Sequence, residues 1–360
     1  MRTWRRSVLT IAVTGAVFFA AACGHDLAPA SSAAGAATAS SSAGGGSSAS
    51  GLATSSGNAN ANAQASTAPA DQAPPASQTG GFDGAKAYDF TAKLVGFGPR
   101  PPASDAIHKT QDYIIAQLKG FGCAVDADDF HSQTPIGDIA MKNIIAKIPG
   151  TGPGIILLLT HYDTLRLDGF VGAEDGGSSS GLMLEIARNL CGGAGAKQPN
   201  SVWIAFLDGE EAQAVKGGQA QWSDVDSVYG SRELAARLAV SGELKRVRAV
   251  LLADMVGQKN LRVLRESDST KWLTDLVWDT AHRLGYKSTF SDESGAIDDD
   301  HMPFIHRGVA AADVIELEDY IQMGYWHTPQ DTLDKISPRS LAIVGHVFLE
   351  SIAALQKKFQ

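Results

Sequence analysis

The chain has 360 residues, 44% of them hydrophobic, with a formal net charge of -9 and three cysteines. That apolar content suffices for one large buried core or two smaller ones. The acidic balance, with no basic patch, sets nucleic acid aside as a partner.

The first 22 residues read as an export signal. Arg2, Arg5 and Arg6 form a positive start, and the apolar small-residue run 8–22 is too short to span a bilayer comfortably. Ala20-Ala21-Ala22 before Cys23 resembles a bacterial lipoprotein signal, in which Cys23 becomes the lipidated first residue. Secretion without lipid is the alternative. The expected location is therefore the cell envelope as a lipoprotein, or else a periplasmic or secreted state. Membrane contact is expected only through Cys23.

Residues 23–81 are mostly Ala, Ser, Gly, Asn, Gln and Pro with almost no charge. Such a stretch buries too little to offset its ordering entropy and reads as a disordered tether. The catalytic domain is expected over 82–360, as a monomer.

A short helix and turn at 85–96 carries Tyr88, Phe90, Leu94 and Phe97 as anchors. Ser104 is a natural N-cap for a helix running to about Leu118. Two strands follow, near 123–130 and 139–148, with an antiparallel edge as one arrangement. The run 155–160 is almost wholly apolar and reads as a strand buried on both faces. Helices are expected at 178–190, 231–240, 270–284 and 338–357, and strands at 202–207, 250–253 and 309–315. Alternating strands and helices predict an α/β fold: a doubly wound, mostly parallel mixed sheet flanked by helices. Cys123 opens a strand and Cys191 closes a helix; a disulfide and two separate buried thiols both stay open.

Polar residues recur where the apolar strands end. His161 and Asp163 follow one strand, Glu210 and Glu211 another, and Asp254 a third. Asp175 lies in a Gly-rich loop, and His327 in the loop Tyr325-Trp326-His327-Thr328-Pro329. Adjacent glutamates repel unless a cation or a shared proton holds them. For the pair alone a solvated turn is the commoner explanation. Two histidines and five carboxylates gathered at strand ends and loops put a metal site on an even footing with that explanation, and nitrogen and oxygen ligands suit catalytic zinc.

Six segments then make the chain recognisable: HYDT (161–164), VGAEDGGSSSGLMLEIAR (171–188), FLDGEEA (206–212), LLADMVG (251–257), DDHMPFIHRGV (299–309) and WHTPQDTLDKIS (326–337). Together they resemble the co-catalytic zinc aminopeptidases, and within them the glutaminyl-peptide cyclotransferases, over about 83–357. The resemblance implies zinc held by Asp175, Glu211 and His327, with Glu210 as general acid/base. In the aminopeptidases a second zinc would use His161 and Asp254, with Asp175 bridging; in the cyclases Asp254 and Asp299 hydrogen-bond the catalytic glutamate instead. One Zn2+ is thus expected for a cyclase, two for an aminopeptidase.

Trp222, within WSDVDSVYGSREL at 222–234, and Trp326 look like cyclase pocket walls, though either could be a plain packing aromatic. The implied reaction converts N-terminal glutaminyl residues of peptides or proteins to pyroglutamyl and releases ammonia. The alternatives are a di-zinc aminopeptidase and, from a different class, a non-catalytic binding lipoprotein on the same scaffold. Two departures from the family pattern touch the pocket: the extra residues 214–220, and Asp313 where animal cyclases carry a histidine.

Overall fold

The computed structural model of the protein describes residues 71–191, 198–316 and 318–360. The expected export signal, Cys23 and the tether up to residue 70 lie outside the described residues. The elements in chain order are α1 (Gly84–Val95), α2 (Asp105–Gly120), β1 (Ala124–Thr134), β2 (Gly137–Ile148), β3 (Ile155–His161), α3 (Ser179–Cys191) and β4 (Ser201–Leu207). There follow the short strands β5 (Val215–Lys216) and β6 (Gln219–Ala220), then α4 (Tyr229–Ser241), β7 (Val247–Asp254), β8 (Val263–Glu266) and α5 (Lys271–Arg283). The chain closes with β9 (Phe290–Gly295), α6 (Met302–Ile305), β10 (Ala311–Ile315), α7 (Glu318–Gln322) and α8 (Pro338–Lys358).

Side-chain caps start the helices where the sequence supplies them. Asp83 accepts hydrogen bonds from the amides of Ala85 and Lys86 at the start of α1. Ser104 accepts from Ile107 at the start of α2, and Ser337 caps α8 with Pro338 in its first turn.

The main sheet has six strands in the order β1-β2-β4-β3-β7-β10. β1, β2 and β4 pair antiparallel; β4, β3, β7 and β10 pair parallel. All seven residues of β3 and all seven of β4 are buried. Their side chains divide by parity. Ile156, Leu158, Ile204 and Phe206 face a core shared with α1, α3, α5 and α8, while Ile155, Leu157, Trp203 and Ala205 face a second core with α4. This is the doubly wound mixed sheet expected, with β1 and β2 as its antiparallel edge. β3 leads next to β4 on one side, and the chain then crosses to β7 on the other. The carboxyl ends of β3, β4 and β7 therefore surround a topological switch point, where open α/β sheets bind ligands.

The expected tether runs too far. Residues 76–81 already belong to the folded part: Thr79 is fully buried, its Oγ1 donating to the Phe82 carbonyl, and the Gly81 amide bonds the Ala76 carbonyl. Composition misses this because the turn is held by backbone hydrogen bonds rather than by large apolar side chains. Strand β1 also runs on to Thr134, and the parallel ribbon of β8 and β9 was not anticipated.

Cys123 and Cys191 form a disulfide, with Cα atoms 5.2 Å apart across 68 residues. The bridge ties the start of β1 to the end of α3. Closing a loop of that size is worth about 4 kcal/mol in the chain-entropy picture. Cys123→Ser with Cys191→Ser should lower unfolding stability by roughly that amount, read from urea midpoints. Equal midpoints for wild type and double variant under non-reducing conditions would show that the bridge adds nothing.

Candidate active site

Each functional side chain sits where a strand or a tight loop delivers it. His161 is the last residue of β3 and Asp254 the last of β7, while Glu210 and Glu211 follow β4. Asp175 rides on an irregular turn at 173–178 before α3. That turn needs glycine at two places. Gly172 has φ 50°, and a Cβ there would lie 2.4 Å from the Asp175 carbonyl oxygen; Gly176 has φ 76°, and a Cβ would lie 2.9 Å from His161 Cε1. His327 and Met255 also take the left-handed backbone, at φ 51° and 49°. Such strain costs about 1–3 kcal/mol per residue and gathers at functional sites.

The structure brings two triads together around Asp175: Asp175, Glu211 and His327 form one, His161, Asp175 and Asp254 the other. His327 Nε2 lies 3.3 Å from Asp175 Oδ2 and 3.2 Å from Glu211 Oε2. His161 Nε2 lies 3.0 Å from Asp254 Oδ1 and 3.2 Å from Asp175 Oδ1. The triads differ in how they are satisfied. Asp175 Oδ2 and both Glu211 carboxylate oxygens are buried without a hydrogen-bond partner, whereas His161 Nε2 and Asp254 Oδ1 hydrogen-bond each other. Burial works against the imidazolium of His327, yet Glu211 and Asp175 push its pKa up to about 10. The first triad thus concentrates negative potential on one point and has the donor set of a divalent cation site. Trp326 stacks on the His327 ring at 4.0 Å, and Phe170 meets it edge-on at 5.9 Å, so the ring is held in place.

The adjacent glutamates face different ways. Glu210 lines a cavity of about 680 Å³ together with Asp254, Asp299, Trp222 and Trp326, while Glu211 is turned inward to His327. Burial pushes the Glu210 carboxyl well above the ordinary carboxylate range; His161 pulls it down, and Asp299 and Glu211 push it further up. Burial likewise raises Asp299 well above that range, reinforced by Asp254 and Asp300. The resemblance implied hydrogen bonds from Asp254 and Asp299 to Glu210. Among the described residues Asp254 bonds His161 instead, and the polar neighbour of Glu210 Oε2 is His161 Nδ1 at 3.8 Å. A bond between two carboxyls needs a proton on one of them, whereas histidine offers Asp254 a donor directly.

Several residues that hold the site are not singled out by the sequence, and Asp163 counts there only as one of the five strand-end and loop carboxylates. Asp163 accepts from the amides of both Glu210 and Glu211, at 3.1 and 3.3 Å, and so aims the pair. Asp331 accepts from the amides of Glu174 and Asp175 at 2.8 and 3.1 Å, and from the Tyr320 hydroxyl at 2.6 Å. Arg100 is fully buried and donates to the carbonyls of Tyr162, Val171 and Gly172, stapling the Gly-rich turn to the end of β3. A charged residue between prolines, at Pro99-Arg100-Pro101, was the available signal for it. Residues 214–220, an extra segment by family pattern, form the β5–β6 hairpin, and Gly218, Gln219 and Ala220 line the cavity. Asp226 fixes the hairpin base by accepting from the amides of Gln213 and Ala214, both at 2.9 Å. Asp313 is fully buried on β10, 3.9 Å from His301 Nδ1, and is not among the cavity-lining residues.

The profile of peptidase family M28 matches residues 143–352. The crystal structure of an Acidobacteriales bacterium glutaminyl cyclase is 38% identical, with a TM-score of 0.71, over 82% of this chain and 100% of that one. A Zn-dependent exopeptidase from Parabacteroides distasonis is 28% identical, with a TM-score of 0.68, over 75% of this chain and 98% of that one. The glutaminyl-peptide cyclotransferase of Boiga irregularis is 28% identical over 290 residues, which span 69% of this chain and 76% of the relative. A profile that spans more than half of the chain, together with a relative of this identity aligned along its full length, establishes that the chain belongs to peptidase family M28, in its glutaminyl-cyclase branch.

Proposed function

We propose that the protein is a zinc-dependent glutaminyl-peptide cyclotransferase that closes N-terminal glutaminyl residues to pyroglutamyl and releases ammonia. The carrying observation is the split of the glutamate pair: Glu211 turns to Asp175 and His327, and Glu210 faces the cavity beside Trp222 and Trp326. Likeness to proteins named glutaminyl cyclase supports the same reading.

One zinc is assigned to Asp175, Glu211 and His327, because Asp175 Oδ2 and both Glu211 oxygens there have no hydrogen-bond partner while His161 Nε2 and Asp254 Oδ1 bond each other. When bound, zinc polarises the side-chain amide of the substrate glutamine and stabilises negative charge on its oxygen. The protein's own groups do the rest. Trp222 and Trp326 wall the cavity, hold the short side chain folded toward its own amine and exclude water. Glu210 takes a proton from the attacking α-amine as the new C–N bond forms. It returns that proton to the amide nitrogen as the old C–N bond breaks, and ammonia leaves. Its raised pKa suits a group that must both accept and give a proton near neutrality.

The test is one peptide with N-terminal Gln. Ammonia release with a mass loss of one ammonia is expected. Free glutamine in place of ammonia would instead identify the di-zinc aminopeptidase, and no turnover by zinc-loaded protein would favour the non-catalytic reading.

We assign the protein to the cell envelope, held by lipid at Cys23, on the motif around that cysteine. The Cys123–Cys191 disulfide fits an oxidising compartment. Cys23→Ala should move the protein from the membrane to the soluble fraction. Wild type found wholly soluble after export would remove the lipid anchor.

A further inference from the structure

We propose that Asp298 sets a preference for substrates with Lys or Arg as their second residue and against those with Asp or Glu there; this rests on the cyclase reading above. Asp298 lies on the lip of the cavity next to Ile297, whereas its neighbour Asp299 is buried, at 3% exposure. The Asp298 carboxylate is exposed to solvent and has no hydrogen bond or ion pair among the described residues.

The substrate's path places its second residue there. The terminal Gln must put its amide at Asp175, Glu211 and His327 and its amine at Glu210, deep in the cavity. The peptide then leaves by the mouth, so the second side chain is the first to pass the lip. Gly218, Gln219 and Ala220 also line the cavity and carry no charge. Among the described residues no Lys or Arg lines the cavity, and the one basic residue that does, His327, is engaged with Asp175 and Glu211. The deeper carboxylates have uses of their own: Asp254 pairs with His161, and Asp175 belongs to the metal triad. Asp298 is therefore an uncompensated charge facing the outgoing peptide.

An exposed charge pair changes an equilibrium by up to about fivefold. Attraction of Lys and repulsion of Glu together give a ratio of about ten. The charge is remote from the bonds that change, so it acts alike on bound substrate and transition state and appears in KM rather than kcat. About 0.5 M salt should compress it.

The experiment measures ammonia release by the full chain from three peptides that differ only at the second residue, Lys, Ala or Glu. Wild type is expected to favour Lys over Glu by about tenfold in kcat/KM, through KM, with Ala between. Asp298→Asn should reduce the ratio to about two, and Asp298→Lys should invert it. Asp112→Asn removes the same unit of charge from the exposed side of α2 and should keep the wild-type ratio. A flat wild-type ratio, with the Ala peptide turned over normally, overturns the proposal and leaves the cyclase reading intact. An equal loss of the ratio in Asp112→Asn also overturns it, since net charge would then be the cause. No ammonia from any of the three overturns both.

Discussion

Glu210→Gln is expected to lower turnover by about 10²–10⁴, the usual worth of a positioned general base, while zinc stays bound. The substitution keeps size and hydrogen-bonding capacity and removes the proton acceptor. Glu210 faces the cavity and is not in the triad that holds the unpartnered oxygens, so its loss should not empty the metal site. KM should change little, because the carboxylate acts on a proton in flight rather than on the resting substrate. Glu211→Gln should fail differently. Its carboxylate is 1% exposed and lies beside His327, so activity should fall because zinc is lost, and excess zinc should restore part of it. Zinc content by mass spectrometry, measured beside turnover, separates the two. Rescue of Glu210→Gln by added zinc would mean that the roles of the two glutamates are exchanged.

His327→Ala should weaken zinc binding by on the order of 3 kcal/mol, one ligand's share of what a complete site supplies. That is roughly a hundredfold in affinity, readable by competition with a chromophoric chelator. His161→Ala should leave zinc affinity near wild type, because His161 is paired with Asp254 and lies outside the assigned triad. A binding stoichiometry of two, with one ion lost in His161→Ala, would establish the second site and with it the aminopeptidase arrangement. Chelation should also destabilise the fold. Asp175, Glu211 and Asp254 are buried within one small volume; without a cation, burial pushes the Glu211 and Asp254 carboxyls up, and only His161 and His327 hold the Asp175 carboxyl down. Zinc at a thousandfold above its Kd stabilises a protein by about 4 kcal/mol, and at a hundredfold weaker affinity still by about 1.4 kcal/mol, so chelator should destabilise wild type about three times as much as His327→Ala.

Which parts of this site are visible in the sequence follows from how far each interaction reaches along the chain. The largely apolar β3 and β4, the glycines that let Asp175 approach, the Ser104 cap and the division between Glu210 and Glu211 are local. Each is a matter of strand burial, a turn's φ, or a family segment a few residues long. The residues that aim the site are not local. Asp331 reaches back across 156 residues to the Asp175 amide, and Asp163 holds the Glu211 amide 48 residues away. A lone aspartate after a strand or in a loop carries no mark of which amide it will meet. Likewise the ends of β1 and α3 meet only once α3 has packed against the sheet, so the Cys123–Cys191 bridge could not be chosen from spacing. The hairpin at 214–220 became a cavity wall only because Asp226 ties its base. Composition and periodicity set which faces are buried, through the local cost of leaving apolar groups in water. Tertiary packing decided which buried polar groups meet, because a carboxylate taken from water must find its donor wherever the fold has brought one.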